Sequence, residues 1–278
     1  MRMVSNRVLH GRTLFAGSHV FRPQTAGAPT LRMPARETEA IILKTFPLGE
    51  ADRLVSFLGR TSGRMRGVAA GARRLKNRYG SALELLSHVQ MWFFERETRD
   101  LVRIQQTELL ESFHKAQSDY GLHTGLAVVS EVAELVLPEH ETSEAMFRLI
   151  LLTAREIERG ASAALPLSYF AFWTVRLAGW LPRFDVCASC GQPFGKGTAY
   201  QSAQFHGLLD EQHRRPGMRP VSQEARQLAE VYAQQRLDRL DKGLATLPGV
   251  KELREAGLNW VEFHAERRLG TRELLEVG

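Results

Sequence analysis

Short runs of aliphatic, β-branched and aromatic residues, separated by glycine and polar turns, fill the part of the chain that follows residue 36. Runs of this length with this punctuation predict β-strands. Five strands are expected: Ala40–Phe46, Arg53–Leu58, Arg64–Ala70, His88–Glu95 and Leu101–Leu109. No helical pattern of about 10–15 residues separates them, so they favour a small closed barrel over a parallel sheet wrapped by helices.

The fourth run alternates regularly between its two faces. Val89, Met91 and Phe93 fall on one face of the predicted strand, and Trp92 and Phe94 fall on the other. One of these faces belongs to the core of the barrel. The other leaves two possibilities open: aromatic platforms on which bases stack, or a surface covered by the rest of the protein.

From about residue 118 the apolar positions adopt helical spacing. One helix is predicted before Pro138, a second ends at Gly160, and a third begins at Pro166. After a short polar stretch, Ser222 occupies the position of an N-cap for a further helix. Together these segments predict a helical bundle.

The last helix is predicted to run from Asn259 to Leu275. Its inward residues are expected to be Trp260, Phe263 and Leu274, and its outward residues Arg267, Arg268 and Arg272. The expected organisation is thus a barrel in residues 37–113 and a helical domain in residues 114–183 and 217–278, with a small inserted module in residues 184–216.

Charge is distributed unevenly along the 278 residues. The formal net charge is +6, and residues 1–36 account for it with six arginines and no acid. That composition is typical of an organelle transit peptide, or of a segment preceding a true start at Met33. In either case we expect a disordered N-terminal extension. No run is apolar enough for a secretory signal or a membrane span, so no membrane partner is expected.

A second concentration of charge lies inside the predicted barrel. Between Arg53 and Leu83 there are eight basic residues and no acidic one, interleaved with glycine and alanine. Such a stretch buries little apolar surface and presents a dense positive field, which favours a phosphate backbone as partner. Two simpler interpretations remain open. The stretch is either a solvated basic face or a loop whose basic residues form ion pairs with acids elsewhere in the fold.

The two cysteines indicate a metal site. Cys187 and Cys190 have the spacing of a zinc knuckle and suggest a reducing compartment. Nineteen residues separate Cys190 from Asp210, and His213 follows three residues later, which completes four possible ligands. His206 competes for a place in this set. The alternative is a metal-free knuckle with two free thiols.

The sequence does not match the common catalytic motifs. The order of histidine, glutamate and cysteines is wrong for a zinc deaminase, and Gly191 to Gly197 is one residue short of a P-loop. No other nucleophile or dinucleotide motif stands out. We therefore expect a protein that is not an enzyme, and a metal, if bound, that is structural.

Several stretches in a fixed order carry a family resemblance. They are Glu39–Leu43, Gly49–Leu58, Gly71–Arg78, the knuckle from Cys187 to Gly191, Gly207–Leu209, and Leu269–Arg272. In this order they resemble the RecO family of bacterial recombination mediators, over most of the chain that follows residue 36.

The resemblance implies an α+β multidomain fold: an N-terminal five-stranded OB-fold barrel, a central and C-terminal helical bundle, and an inserted zinc-binding module. It implies binding of single- and double-stranded DNA and annealing of complementary strands. It also implies cooperation with RecR to load RecA onto DNA coated by single-strand-binding protein, in the cytoplasm at the nucleoid. The residues expected to contact DNA are Arg60, Arg64, Arg66, Arg73, Arg74, Lys76 and Arg78.

One departure from the family affects the metal. Zinc-binding members carry a second cysteine pair where this chain has Asp210 and His213. Three other functions stay open on the residues alone: an RNA-binding OB-fold factor, a non-catalytic interaction scaffold, and a zinc enzyme with an open metal position. Matched DNA and RNA oligonucleotides would separate the first of these from a DNA-binding protein.

Overall fold

A computed structural model describes residues 35–95 and 100–277 of the chain. Nearly all of the predicted N-terminal extension, residues 1–36, lies outside the described residues. Its last residue, Arg36, belongs to the first strand, so the barrel begins slightly earlier than the pattern predicts.

Five strands close into a barrel in the order β1-β2-β3-β5-β4, which confirms the predicted architecture. All neighbouring strands are antiparallel except β3 and β5, which run parallel. The strands are β1 (Arg36–Leu48), β2 (Asp52–Gly59), β3 (Gly63–Ala69), β4 (His88–Phe94) and β5 (Leu101–Glu111). Closure pairs the first half of β1 with β4, so each described strand of the barrel has a neighbour on both sides.

The barrel core follows the predicted alternation. Val89, Met91 and Phe93 are fully buried, whereas Trp92 and Phe94 on the opposite face are half-buried. A second set of barrel side chains, including Ile41 and Leu43, packs outward into the core of the helical domain. The barrel therefore has one interior core and one outer side that belongs to the bundle.

The helical region contains seven α-helices among the described residues. They are α1 (His114–Ser118), α2 (Tyr120–Val136), α3 (Glu144–Arg159), α4 (Ala164–Leu177), α5 (Gln223–Gln234), α6 (Pro248–Ala265) and α7 (Leu274–Val277). Single 3-10 turns lie at Gly80–Leu83, Leu237–Arg239, Lys242–Thr246 and Gly270–Arg272. Ser222 caps α5 as predicted, since its hydroxyl accepts a hydrogen bond from Ala225 N at 3.1 Å. None of the described helices is both long and apolar enough to cross a membrane.

The prediction for the last helix was wrong at both ends. Helix α6 begins at Pro248, a favourable first residue, and ends before Glu266, which adopts a left-handed conformation (φ 51°). Leu274 lies beyond this break and is exposed, whereas Arg272 turns inward and pairs with Glu255 at 2.9 Å. The apolar spacing continues past Ala265, so the sequence pattern alone does not mark the end of the helix.

The inserted segment forms a three-stranded antiparallel sheet in the order β7-β6-β8. Its strands are β6 (Ala199–Ser202), β7 (Phe205–Leu209) and β8 (Arg219–Val221). Strand β8 lies after residue 216, so the sheet extends past the predicted boundary of the module. Ala199 and Val221 face each other across β6 and β8, and both are fully buried.

Candidate functional site

Arg60 joins the barrel to the bundle. Its guanidinium donates two hydrogen bonds to the carboxylate of Glu144 on α3, at 2.9 and 2.7 Å, and a third to Glu39 at 2.9 Å. It also lies over the ring of Phe147, 5.5 Å from the ring centre. Its positive charge is thus offset by two acids from distant parts of the chain.

Arg64 and Arg66 on β3 share a second acidic partner. Arg66 lies 2.9 Å from the carboxylate of Glu139, and Arg64 lies 3.4 Å from it. Arg64 also donates to the carbonyl oxygen of Leu137 at 2.8 Å and is mostly buried. Three of the seven predicted DNA-contact residues are therefore neutralised where the barrel meets the helices.

The other four predicted contact residues have a different environment. All four project from the loop between β3 and the Gly80–Leu83 turn, here called the basic loop (residues 70–78), and all are exposed. Within residues 35–95 and 100–277, no carboxylate pairs with any of them at 4.0 Å or less. They are Arg73, Arg74, Lys76 and Arg78.

The start of the basic loop is fixed against the β1–β2 turn. The carboxylate of Asp52 accepts a hydrogen bond from Gly71 N at 2.8 Å. Arg73 adds two bonds, from its backbone N to Ala51 O at 2.9 Å and from its guanidinium to Gly49 O at 2.6 Å. The loop therefore presents its cations from a constrained backbone.

The end of the basic loop is also fixed by hydrogen bonds. The side-chain oxygen of Asn77 accepts from Tyr79 N and Gly80 N at 2.9 and 3.0 Å. Tyr79 is buried, and its hydroxyl donates to the Ile104 carbonyl at 3.1 Å while accepting from Arg78 at 2.9 Å. These bonds satisfy polar groups that the loop would otherwise leave unpaired.

A second cluster lies at the edge of the inserted module, where ligand atoms of Cys187, Cys190, Asp210 and His213 all lie within 4.8 Å of one another. The sulfur of Cys187 is 3.9 Å from Nδ1 of His213, and that of Cys190 is 3.3 Å from Oδ2 of Asp210. Zinc bonds of about 2.0–2.3 Å place tetrahedral ligands about 3.3–3.8 Å apart. The four side chains can therefore hold a metal ion.

Backbone bonds shape the knuckle that carries the cysteines. Cys187 N donates to Gln192 O and Gly191 N donates to Cys187 O, both at 2.8 Å, which closes a tight turn. Ala188 N donates to Leu208 O at 2.8 Å and attaches this turn to β7. Strand β7 then leads directly into Asp210, so one short sheet positions both halves of the cluster.

The surroundings of Asp210 favour the ionised form of its carboxyl group. A hydrogen bond with the His213 ring, 2.7 Å long, lowers the pKa of Asp210 to about 2, although partial burial opposes the shift. The competing ligand His206 is engaged elsewhere, because its Nδ1 lies 3.0 Å from Nε2 of His264. The geometry thus favours His213 over His206 as the fourth donor.

Sequence reasoning missed Arg226, which joins the module to helix α5. Its guanidinium donates to the carbonyls of Gly195 and Gly197 at 3.0 and 2.6 Å and lies 5.2 Å from the ring centre of Phe194. Burial lowers the pKa of this arginine. A lone arginine within an amphipathic helix carries no local sign of such a role.

Comparison with known proteins gives one consistent family. Two family models match, "Recombination protein O N terminal" over residues 33–113 and "Recombination protein O C terminal" over residues 117–273. The DNA repair protein RecO of Koribacter versatilis is 33% identical over 241 residues, covering 87% of this chain and 98% of that protein. That of Bifidobacterium adolescentis is 29% identical over 248 residues, covering 88% and 100%. That of a Nocardioides species is 38% identical over 183 residues, covering 64% and 74%.

Proposed function

This chain belongs to the RecO family of DNA repair proteins, and from that premise we propose that it is a recombination mediator that binds DNA and anneals complementary single strands. The observation that carries the proposal is the anchored basic loop, whose four exposed cations have no acid partner among the described residues. A planar guanidinium can hold a phosphate through two parallel hydrogen bonds, and phosphate contacts bind without reading sequence.

The proposed mechanism is electrostatic. Two single strands repel each other through their phosphates, and a dense cationic surface that binds both reduces this repulsion. Arg60, Arg64 and Arg66 remain within the basic window, but their acid partners offset their charge. We therefore assign the main phosphate contacts to Arg73, Arg74, Lys76 and Arg78. Annealing of this kind needs no nucleotide hydrolysis, and the protein is proposed to act without catalysis.

The partners proposed are those that the family resemblance implies. With RecR, the protein would help load RecA onto DNA coated by single-strand-binding protein, in the cytoplasm at the nucleoid. Residues 37–113 would contact DNA. Residues 114–183 and 217–278 would form the supporting helical domain, and residues 184–216 the zinc module.

We propose that Cys187, Cys190, Asp210 and His213 bind a structural zinc ion. Two thiolates, one carboxylate and one imidazole fill all four positions of a tetrahedral site, which leaves no open position for a substrate. The convergence of their ligand atoms supports this assignment. Metal binding would join the knuckle to Asp210 and His213, which follow the end of β7.

The decisive experiment measures annealing of two complementary oligonucleotides by fluorescence quenching, without ATP. The wild-type protein should accelerate annealing, and a variant with Ala at Arg73, Arg74, Lys76 and Arg78 should lose the acceleration. A matched control replaces four exposed cations elsewhere, Lys196, Arg239, Lys242 and Lys251, and removes the same charge. The control should anneal like the wild type.

Salt dependence gives a second measurement. Losing four phosphate contacts should reduce the slope of log affinity against log salt by about 3, at about 0.7 per contact on single strands. An unchanged slope would contradict the assignment of the loop. Tighter binding to RNA than to a matched DNA oligonucleotide would favour an RNA-binding role instead.

A further inference from the structure

The outer face of the barrel carries an apolar strip beside the basic loop. Strand register places Phe46 opposite Leu54, and Leu54 opposite Val68. Directly paired residues share a face, so the three side chains form one row across β1, β2 and β3. Phe46 is 42% exposed, and Leu54 and Val68 are half-buried. This row is called the outer strip.

The helical domain covers one side of this strip and stops short of it. Ser56, two residues from Leu54 on the same face, donates a hydrogen bond to Glu134 of α2. Leu43 and Leu58 are fully buried in the core that the helices share. Beyond this contact burial decreases, and the outer strip is partly accessible to solvent.

The basic loop borders the other side. Leu48 pairs with Asp52 on the same face as Phe46, and Asp52 holds the loop through Gly71 N. Gly49, whose carbonyl binds Arg73, is three residues from Phe46. At about 3.3 Å per strand residue this separation is roughly 10 Å. It corresponds to about three nucleotides at the 3.4 Å spacing of a stacked strand.

A cavity of about 370 Å³ opens between Phe46 and the bundle. This volume falls within the range of about 300–1,000 Å³ that is usual for small-molecule sites. Three cations, Lys44, Arg64 and Arg267, line it together with two acids, Glu131 and Glu134. The Lys44 ammonium lies 5.1 Å from the centre of the Phe46 ring.

The exposed aromatic ring of Phe46 offers a planar base a surface for stacking. The two carboxylates of the cavity are already engaged, because Glu131 accepts hydrogen bonds from Gly270 and Thr271, and Glu134 accepts one from Ser56. The cations at its rim and on the basic loop suit the backbone outside. A protein segment could also cover an apolar strip, but it would not account for the exposed cations of the basic loop beside it.

We propose that Phe46 is a stacking residue for an unpaired base of the strand whose phosphates the basic loop holds, with the adjoining cavity receiving that base. The inference rests on the proposed function and adds a preference to it. A paired base cannot leave its stack without cost, so the site favours single strands over duplex. The phosphate contacts alone would bind both.

The test compares full-length wild-type protein with Phe46→Ala, Phe46→Tyr and a control, Leu177→Ala. Leu177 is similarly exposed, at 40%, but lies on α4. Each protein is titrated by fluorescence anisotropy with a single-stranded oligonucleotide, the same strand with abasic positions, and a duplex. Thermal unfolding of each variant establishes that it is folded.

Phe46→Ala should weaken binding to the normal single strand by about 5- to 150-fold, as expected for loss of one stacked base. Its affinity for the abasic strand and the duplex should match that of the wild type. Phe46→Tyr should restore binding, because it keeps the ring, and Leu177→Ala should change nothing.

Three results would overturn the inference while leaving the proposed function intact. The first is unchanged single-strand affinity in Phe46→Ala, with binding still lost in the basic-loop variant. The second is an equal loss on abasic and normal strands, which would mean that Phe46 only supports the loop. The third is intact DNA binding with loss of RecR binding, which would assign the strip to a protein partner. Failure of the wild type to bind any DNA would instead refute the proposed function.

Discussion

Arg60 on the barrel and Glu144 in the first turn of α3 form a two-point ion pair between segments that are 84 residues apart in the chain. The fork of the guanidinium meets both carboxylate oxygens. Hydrogen bonding from Arg60 lowers the pKa of Glu144 to about 2 from its ordinary value of 4.5, although desolvation opposes the shift. The pair contributes to the joint between barrel and bundle.

Glu144→Gln should lower the melting temperature at neutral pH. Because the folded pKa lies below the unfolded value, the contribution is fully present above pH 4.5 and is lost as the pH falls through about 2. The difference in melting temperature between wild type and variant should therefore be constant near neutrality and shrink between these values. Glu108→Gln, an exposed acid on β5, is the control. A difference that persists unchanged at pH 2 would contradict the argument.

The metal cluster predicts one zinc ion per chain. Elemental analysis of the purified protein should find it in the wild type and in Ser189→Ala, which alters the knuckle without removing a ligand. Cys187→Ser and Cys190→Ser should lack it. A chelator should lower the melting temperature of the wild type but not of these two variants, because a structural metal binds the folded state alone. Metal-free wild-type protein that is insensitive to both zinc and chelator would refute the site.

The backbone conformation at Gly207, in the same module, should require glycine. It has φ +117°, and a Cβ there would lie 2.8 Å from the Cβ of Ala188 on the knuckle. Gly207→Ala should therefore cost about 1–3 kcal/mol and reduce zinc content. Gly191 also has positive φ but faces open space, so Gly191→Ala should cost about 1 kcal/mol. Urea unfolding measures both, and equal costs would argue against the close contact.

Arg226 predicts a link between α5 and the module. Arg226→Met keeps the aliphatic stem but removes the bonds to the Gly195 and Gly197 carbonyls, which should cost about 1.5–3 kcal/mol of unfolding free energy. The exposed Arg239→Met is the comparison and should be close to neutral. If both variants unfolded at the same urea concentration, the proposed link would be wrong.

Local pattern was sufficient for much of the fold. Alternation in the fourth run predicted that Val89, Met91 and Phe93 would be buried, because a strand exposes successive side chains to opposite faces. Ser222 was identifiable as a cap because its hydroxyl bonds within its own turn. The five strands, the bundle and the family were thus accessible without coordinates.

The metal cluster was only partly predictable from the sequence. Spacing brought Cys187 and Cys190 together on one knuckle, since two residues between ligands suffice for a turn. Spacing does not decide between His206 and His213, because His206 lies on β7 and His213 follows the end of that strand by only four residues. The structure separates them by pairing His206 with His264 of α6, which is 58 residues away.

The sequence by itself determined the strands, most helices, the cysteine knuckle and the location of the excess positive charge, because each depends on neighbours within a few residues. Only the tertiary structure decided which charges remain available. Arg60 and Arg66 look like Arg73 in the sequence, yet Glu144 and Glu139 reach the first two across the barrel–bundle joint. Phe46 likewise became part of a surface only when β2 and β3 paired beside it. Electrostatic pairing and shared faces depend on distances in space, which residues far apart in the chain acquire only on folding.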